Sequence, residues 1–460
     1  MTLHRNFLTS DGHTGAVSTI SLYEPSHDQE SAVSAGSNRR ICAFMLFLFI
    51  LAATLSAVRK DVTQGFDEVA HVSYIAHLQH SGETWPALKD MRMLDPSSFR
   101  FTNEANYLNH PSPYYVLLAY LGPNLEGHPG ALIVYRLFNV AFAAIGLAAL
   151  MAIGLVARLS RFTLYAYVVP LLCIPVLAPL AGSINNDNAA FAGGGIATLA
   201  AWQLMATGSR ASLMAALGGV IVASWAKLTG LLLVGGLVSG VLAWFLWRRR
   251  LQPRWIVLIA IAALLAITPY VAYIAQYGSP VPNTPAYFAM PKAVAQAAGW
   301  HSADRMSPAA YAVHFVSEFV RGWMPTLMSR NALNYAALVI PVAAALCAFA
   351  GLVVSAQRIA RGNEGPIDIV IAAGALAFTG TFVIHGIISY EWHVAFGWMM
   401  GPPPRYYLPL AALIPLAGLS LLAAIKQPRT RAMLTGFLIA SPVATLALVA
   451  TLTNIARPHI

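Results

Sequence analysis

Residues 41–58 read ICAFMLFLFILAATLSAV, a continuous apolar run without a charged side chain. A helix of about 18 such residues is just long enough to cross the hydrocarbon core of a bilayer. Ten more candidate spans follow, at roughly 131–157, 164–182, 188–206, 211–229, 230–247, 254–274, 332–355, 367–388, 404–425 and 432–454. The sequence therefore predicts an all-α polytopic membrane protein with about eleven transmembrane helices.

The composition excludes an ordinary soluble protein. Of 460 residues, 58% are hydrophobic and 10% are charged, whereas soluble proteins carry about 25% charged residues. The net charge of +10 does not indicate a nucleic-acid partner, because no soluble segment carries a basic stripe with interleaved aromatic residues. Cys42, Cys173 and Cys347 all lie inside apolar runs, so the sequence indicates neither a disulfide framework nor a zinc site.

Charge in the short connections predicts the orientation, since Lys and Arg accumulate in cytoplasmic loops. Residues 1–40 are polar without a hydrophobic period, which predicts a disordered cytoplasmic tail before a transmembrane domain at 41–460. The cytoplasmic connections then carry Arg158, Arg161, Arg210, Arg248, Arg249, Arg250, Arg254, Arg358, Arg361, Lys426, Arg429 and Arg431. Two long outer loops remain, at 59–130 and 275–331.

The first outer loop, 59–130, holds eight of the eighteen acidic residues. Asp67, His71, Tyr74 and Leu78 recur at helical spacing, which predicts a short helix along the membrane interface. The stretch 114–121 predicts a second one. We therefore expect any chemistry on this face of the protein.

Gly65-Phe66-Asp67-Glu68 is the strongest local signal, because two adjacent carboxylates beside a membrane are costly unless they are solvated or used. One of them could be a general base for a hydroxyl group. Two solvated loop acids, or an acidic start to a helix, remain open as alternatives. His71 follows Asp67 by four residues and could share its proton or a metal, or it could be a surface histidine.

Four cations near outer helix ends, Arg59, Lys60, Lys227 and Arg405, break the charge rule for short loops. Together they could surround a phosphate at the outer surface. They could instead pair with loop acids or lipid head groups, and Lys227 could simply extend toward the interface.

Two further polar motifs lie at outer helix ends. His110-Pro-Ser-Pro-Tyr114-Tyr115 leads into an apolar helix, with tyrosines that could also be interfacial anchors. The other contains Asn185, Asn186 and Asp187, which indicate a functional site beside the membrane or a helix N-cap. Glycines at 193–195, with Gly236 and Gly240, are typical of close helix contacts.

The acidic pair after the first span, the Pro-Tyr-Tyr entry and the late Arg405-Tyr406-Tyr407-Leu408-Pro409 form an ordered set. This set resembles the GT-C class of integral-membrane glycosyltransferases over roughly residues 41–425. It is most similar to the branch that takes sugar from a polyprenyl phosphate, which includes protein O-mannosyltransferases and the aminoarabinose transferase of lipid A. A related group of uncharacterised bacterial membrane proteins looks closer still.

The resemblance implies inverting transfer of a sugar from a polyprenyl-phosphate donor to a hydroxyl of a lipid, glycan or protein acceptor. It implies that Asp67 is the base, with Glu68 as its partner, and that Arg405 meets the phosphate. His110 stands where the family has a phosphate-binding Lys before its Tyr-Tyr pair, here Tyr114-Tyr115. Mg²⁺ or Mn²⁺ on Asp67 and Glu68 is possible but not required. The implied location is a bacterial inner membrane, with the active face periplasmic.

A lipid or sugar transporter or flippase without transferase activity is the competing hypothesis. Transporters often have internal repeats and interrupted helices near the membrane midplane. The two halves of this chain show no clear repeat, and the ionisable residues cluster at one face, which favours the transferase. A membrane protease is a third and weaker hypothesis, because the sequence specifies no nucleophile beside His385 and His393.

Overall fold

The structure, a computed structural model, describes residues 28–282, 285–297, 299–300, 304–322, 339–399 and 401–456. The helices are α1 (Asp28–Arg59), α2 (Glu68–Ser81), α3 (Pro113–Leu121), α4 (Leu132–Val156), α5 (Arg161–Leu172), α6 (Leu177–Ala181), α7 (Asp187–Thr207), α8 (Arg210–Ala226), α9 (Leu228–Trp247), α10 (Pro253–Tyr277), α11 (Pro285–Ala297), α12 (Pro308–Gly322), α13 (Val339–Ala360), α14 (Pro366–Phe396), α15 (Leu413–Ala424) and α16 (Pro428–Ala456). Short 3₁₀ turns lie at Val62–Gln64, Leu88–Asp90, Pro129–Ala131 and Pro404–Leu410. The strands are β1 (Arg92–Leu94) and β2 (Phe101–Ala105).

Eight helices in the described part are long and apolar enough to cross a membrane, and a ninth if a bent pair counts as one span. The bent pair is Pro404–Leu410 with α15, at an angle of 54°. Several outer helices leave large apolar side chains uncovered, as α10 does at Ile256, Val257 and Ile261. Because such surfaces are unusual in contact with water, they face lipid. The protein is an integral membrane protein.

The count of eleven spans is not reproduced within the described ranges, for local reasons. The predicted span 164–182 is divided into α5 and α6, because Pro175 lacks an N–H and disfavours helical backbone at the residue before it. The predicted span 211–229 becomes α8, which ends at Ala226 and is too short to pass as a span alone. Residues 332–338 of another predicted span lie outside the described residues.

The first helix begins at Asp28 rather than at Ile41. Asn38, before the apolar run, is buried and donates from Nδ2 to the Leu159 carbonyl at 2.9 Å. The apolar part of this helix, Gly36–Arg59, is the candidate span. The rest of the predicted disordered tail, residues 1–27, lies outside the described residues.

Helix α7 runs through the centre of the bundle, where three consecutive glycines give it three close neighbours. A Cβ atom on Gly193 would collide with the backbone of α8, one on Gly194 with the backbone at Pro409, and one on Gly195 with the backbone of α4. The predicted role of these glycines in close packing therefore agrees with the geometry. The turn at Pro404–Leu410 consequently lies directly against α7.

The first outer loop is a folded unit with a hydrophobic core of its own. Helix α2 is predicted correctly, and most of its side chains are buried against α3 and the two strands. The sequence reading missed the β1–β2 hairpin, which is antiparallel and closes at Asp95. That side chain accepts hydrogen bonds from the backbone and hydroxyl groups of Ser97 and Ser98, the pattern of an Asx turn.

The second outer loop contributes α11 and α12, and its residues 323–331 lie outside the described residues. Rings of α12 pack on the outer half of α14, with Phe315 and Phe319 against Phe382 at centroid distances of 5.0 and 4.9 Å. Tyr407, in the Pro404–Leu410 turn, contacts Phe319 at 5.1 Å. Both long loops therefore meet at one end of the helix bundle, which we name the loop end.

Candidate active site

Four charged side chains of alternating sign form a chain at the loop end. Arg405 Nη2 lies 2.5 Å from Asp67 Oδ2, and Arg405 Nε lies 3.1 Å from Asp187 Oδ2. Asp187 Oδ1 in turn accepts from Lys227 Nζ at 2.5 Å. Residues that are 40 to 338 positions apart are thus brought into one network, and the structure places four of the predicted site residues together.

Each charge is positioned by the end of an element. Asp187 is the first residue of α7, where a carboxylate is stabilised by the helix dipole. Lys227 has extended backbone and separates α8 from α9. Arg405 follows three prolines and opens the Pro404–Leu410 turn that Gly194 admits against α7.

Aromatic rings separate the cations. Lys227 Nζ lies 3.5 Å from the centroid of the Tyr406 ring, and the Arg405 guanidinium lies 5.6 Å from the same ring. Phe66 lies between Arg405, at 5.2 Å, and Lys60, at 4.5 Å. Such ring faces attract cations and reduce the cost of holding several of them in a partly dry site.

Asp67 is the most accessible acid of the network and has unusual backbone. Its side chain is 40% exposed, against 1% for Asp187. Its φ of 61° and ψ of 24° place a non-glycine residue in the left-handed region, a strained conformation of the kind that collects at functional sites. Its side chain caps no helix; it accepts from Tyr107 Oη at 3.1 Å and from Arg405.

Glu68, the predicted partner of Asp67, points away from Asp67 toward Arg136, and its carboxylate is inaccessible to solvent. It is fully buried and takes two 2.8 Å hydrogen bonds from Arg136, through Nε and Nη2. The backbone N–H of Ile184 donates to the same carboxylate at 2.9 Å. Both Glu68 oxygens therefore have protein partners, whereas the Asp67 carboxylate remains partly exposed to solvent.

His71, Asn185 and Tyr115 form a buried neutral network beside Asp67. Asn185 donates to His71 Nε2 at 3.1 Å, so His71 Nδ1 carries the proton and donates to Tyr115 Oη at 2.8 Å. Burial, with nearby His110 and Arg405, holds the pKa of His71 well below its ordinary value. Asn185 also donates to the Phe66 carbonyl at 2.8 Å, which fixes the residue before Asp67.

His110 and Tyr114 lie on the same side of the site. The His110 ring stacks on His71 at 6.1 Å, and burial lowers its pKa to about 3, so it is neutral at physiological pH. Its carbonyl accepts from Tyr273 Oη at 2.7 Å. Tyr114 donates to Asn139 at 2.8 Å and is buried.

Lys60 and Arg59, adjacent in sequence, differ in the structure. Lys60 donates to Ser183 Oγ at 2.6 Å and faces the Phe66 ring. Burial lowers the pKa of Lys60 to about 8, an effect that the nearby Glu68 opposes. Arg59 is exposed at the end of α1 and joins none of the side-chain hydrogen bonds or ion pairs in the described part of the chain.

Several buried polar atoms at the centre of the site lack a hydrogen-bond partner among the described residues. They include Asp187 Oδ2, Arg405 Nε and Asn186 Oδ1. The first two are close together but misaligned for a hydrogen bond. Asn186 Nδ2 is satisfied by the Ala226 carbonyl at 2.8 Å, which ties the start of α7 to the end of α8. Orphaned groups of this kind are costly unless a ligand or water completes them.

Sequence reasoning missed Arg136, Asn139 and Tyr107. Asn139 Oδ1 accepts from Tyr114 at 2.8 Å and from Asn188 at 3.1 Å. The available signal was an arginine and an asparagine inside the apolar run 131–157, since ionisable residues within spans face the protein interior. Asn188 continued a polar motif that was already noted.

A divalent metal fits these residues poorly. Over the ranges that the structure describes, no three His, Cys, Asp or Glu side chains form a group that could hold a metal ion. Asp67 and Asp187 are already paired with Arg405 and Lys227, and Glu68 with Arg136. We therefore derive no step through a metal.

Neither a protein-family model nor a curated protein sequence matches the chain. Among solved structures, it is similar to ArnT from Cupriavidus metallidurans in the apo state, with a TM-score of 0.47 and 16% identity over 85% of this chain and 61% of that one. It is also similar to the same protein bound to undecaprenyl phosphate, with a TM-score of 0.46 and 16% identity over 85% and 61%. This chain thus spans about three fifths of the length of the ArnT chain that it matches.

Proposed function

We propose that this protein is a glycosyltransferase that moves a sugar from a polyprenyl-phosphate donor to an acceptor hydroxyl, with inversion at the anomeric carbon. One observation carries the proposal: a half-exposed carboxylate with strained backbone, Asp67, lies hydrogen-bonded to a buried cation, Arg405, beside two further cations. An acid that can accept a proton and cations that can hold a phosphate are the two groups that such a transfer needs.

Asp67 is the general base in this proposal. It takes the proton of the acceptor hydroxyl as the acceptor oxygen bonds to the anomeric carbon. The bond from that carbon to the phosphate oxygen breaks, and the lipid phosphate leaves with the electron pair. Arg405, Lys227 and Lys60 stabilise the negative charge that develops on the leaving phosphate.

The charge balance of the site suits an anionic donor. Arg405, Lys227, Lys60 and Arg136 face three carboxylates, those of Asp67, Glu68 and Asp187. One positive charge is therefore in excess, and Lys60 is the cation that holds a hydroxyl instead of a carboxylate. A phosphodiester carries one negative charge and would neutralise that excess.

The neutral residues around Asp67 have supporting roles in this scheme. Asn186, through its unpartnered Oδ1, and the neutral His110 ring can form hydrogen bonds with sugar hydroxyls without adding charge, while His71 and Asn185 hold the turn before Asp67. Tyr114 and Tyr115 line the site, and hydrogen bonds to Asn139 and His71 fix their hydroxyl groups. Arg59, which is exposed, contributes at most to attracting the lipid phosphate or an anionic head group.

We further propose that the loop end faces the periplasm or cell exterior of a bacterial inner membrane, with the N-terminus cytoplasmic. The arginine-rich short connections support this orientation. The isoprenoid tail would lie in an apolar groove between helices, and the acceptor, a lipid, glycan or protein hydroxyl, would approach Asp67 from its exposed side.

Transfer by the purified protein in nanodiscs tests the proposal. A panel of radiolabelled polyprenyl-phosphate sugars is offered with envelope lipids, glycans and proteins as acceptors, with and without a chelator. Asp67→Asn and Arg405→Gln are compared with the matched outer-loop controls Glu104→Gln and Arg100→Gln, whose side chains are exposed.

Transfer by wild type and both controls, lost in both site variants, would support the assignment. Transfer that survives Asp67→Asn would remove Asp67 as the base. If no donor is used but labelled lipid moves between the leaflets of proteoliposomes, the transporter hypothesis replaces the transferase. Loss of transfer with chelator alone would show that a metal takes part.

A further inference from the structure

Arg136 is a buried arginine of α4 whose guanidinium joins three segments of chain. Nε and Nη2 bind the Glu68 carboxylate, each at 2.8 Å. Nη1 donates to the carbonyls of Ala57 and Lys60, each at 2.7 Å. All three of its nitrogens are thus engaged at the end of α1 and at the start of α2. It makes no contact with Asp67 itself.

What Arg136 holds is the residue directly after Asp67. Glu68 cannot shift without breaking two charge-assisted hydrogen bonds and the bond from Ile184 N–H. On its other side, a Cβ on Gly65 would lie 2.7 Å from Glu68 Oε2, so the turn closes tightly over this carboxylate. Asp67 lies between these fixed points, in a left-handed conformation that its own side chain does nothing to cap.

The same pair also connects to the other half of the site. Ile184 immediately precedes Asn185, which donates to both His71 and the Phe66 carbonyl. Glu68 therefore sets the distance between the turn that bears Asp67 and the turn that leads to Asp187. An apolar pair of similar size is often as stable as a buried ion pair, so stability alone does not account for this arrangement.

We propose that Arg136 is a positioning residue for Asp67, which it holds in its strained backbone conformation through Glu68. The inference rests on the proposed function, in which Asp67 is the base. It assigns to Arg136 no contact with donor, acceptor or leaving group.

Three variants test it in nanodiscs. Arg136→Lys keeps the charge but loses the planar fork. Glu68→Leu with Arg136→Met removes both charges and leaves no unpaired one buried. Arg358→Lys is the matched control, because Arg358 is a part-buried arginine paired with Asp368, away from the loop end.

We expect Arg136→Lys to fold and to lose about 100-fold in kcat, since a small misplacement of a catalytic group has this size of effect. The donor KM should stay within about threefold, because Arg405 and Lys227 lie on elements that Arg136 does not contact and Arg136 touches Lys60 only at its backbone carbonyl. The double variant should lose at least as much kcat, and Arg358→Lys should retain it. Wild-type kcat in folded Arg136→Lys, or a change in donor KM alone, would overturn the proposal.

Hydrogen exchange gives a readout that does not depend on transfer. In Arg136→Lys, the amides of residues 61–70 should exchange faster, while those of α8 keep their wild-type rate. Unchanged exchange at 61–70 would overturn the proposal whatever the kinetics show. If wild type transfers no sugar, the proposed function fails, and exchange alone then decides whether Arg136 holds this turn.

Discussion

Two clusters of charged side chains lie far apart in the bundle, and they are built differently. In one, Arg358 Nη1 lies 3.4 Å from Asp368 Oδ1, and Ser420 bonds to both residues. Asp368 lies in the first turn of α14, about 25 Å along the helix from His385, which contacts Tyr407 at the loop end. In the other, Arg405 is shared between Asp67 and Asp187.

The two clusters differ in whether all their polar atoms are buried and have hydrogen-bond partners. Asp368 is 1% exposed, and its second oxygen accepts from the Gly365 N–H at 2.9 Å, so its pairing is complete. At the loop end, Asp67 is 40% exposed with strained backbone, and Arg405 Nε has no aligned partner among the described residues. A complete cluster fixes helices to each other, whereas an incomplete one can exchange an internal partner for a ligand.

Removing the carboxylate of Asp67 should produce the largest difference between the two clusters. We expect Asp67→Asn to reduce sugar transfer by about 1,000-fold, because general-base catalysis contributes roughly 100- to 10,000-fold. Asn tolerates left-handed backbone, its Oδ1 can still accept from Arg405, and its NH2 group can donate to the Tyr107 hydroxyl, so the variant should fold. Initial rates in nanodiscs measure the loss. Asp368→Asn, at the complete cluster, should transfer at the wild-type rate per folded molecule, and equal losses in both variants would refute the distinction.

Breaking the buried pair of Asp187 and Lys227 should reduce stability in addition to removing a proposed phosphate-binding cation. Lys227→Met leaves the Asp187 carboxylate with only the misaligned Arg405, and we expect a loss of about 3 kcal/mol in the free energy of unfolding. Asp187→Leu with Lys227→Met should recover most of this loss, since no buried charge is left unpaired. Unfolding by SDS in mixed micelles gives the values. A double variant no more stable than Lys227→Met would contradict the explanation.

Replacing Arg405 should reduce transfer with a smaller effect on folding. We expect Arg405→Gln to lower kcat by about 100-fold, the typical effect of removing one donor to a developing negative charge. Arg405→Lys should recover part of it, because it restores the charge without the planar fork. The kcat of both variants is measured with the donor from the polyprenyl-phosphate sugar panel that the wild type uses. Arg358→Gln is the matched change at the complete cluster, and a comparable drop in kcat there would make the effect on Arg405 non-specific.

Lys60 should give the smallest effect, seen as a dependence on pH. With a pKa of about 8, its ammonium group is charged below that pH and neutral above it. The donor KM should therefore rise several-fold between about pH 7 and 9. Lys60→Arg should abolish the rise, since Arg stays charged throughout. A rise that persists in that variant would assign the titration to another group.

The sign for stability is opposite to that for binding. The pKa of Lys60 lies below its ordinary value of 10.5, so between about pH 8 and 10 the unfolded chain binds more protons than the folded one. The free energy of unfolding should therefore rise with pH in this window. His110, with a pKa lowered from 6.5 to about 3, acts in the same direction: between these pH values the unfolded chain binds a proton that the folded chain does not, so the free energy of unfolding rises with pH. His71, whose pKa is also lowered, adds to this effect.

The sequence was sufficient for the class of fold and for several charged residues that the structure brings together, because apolar length and misplaced charges are local signals. It identified α2 and four partners of one charge network, Asp67, Asp187, Lys227 and Arg405. It did not distinguish the roles of Asp67 and Glu68, since nothing in the sequence shows that Arg136 pairs with Glu68 and buries it. The count of eleven spans is not reproduced within the described residues, because bends and breaks, as at Pro175, depend on packing as well as composition.

The three glycines of α7 also constrain how the site can move. Because Gly194 brings the backbone at Pro409 into contact with α7, while Gly193 and Gly195 lock α7 to its other neighbours, the turn bearing Arg405 cannot slide independently. Release of Asp67 by Arg405 must then come from rotation about side-chain bonds. Such torsional motion is far faster than domain closure, so in the proposed reaction a donor phosphate would free the Asp67 carboxylate without any rearrangement of the helices.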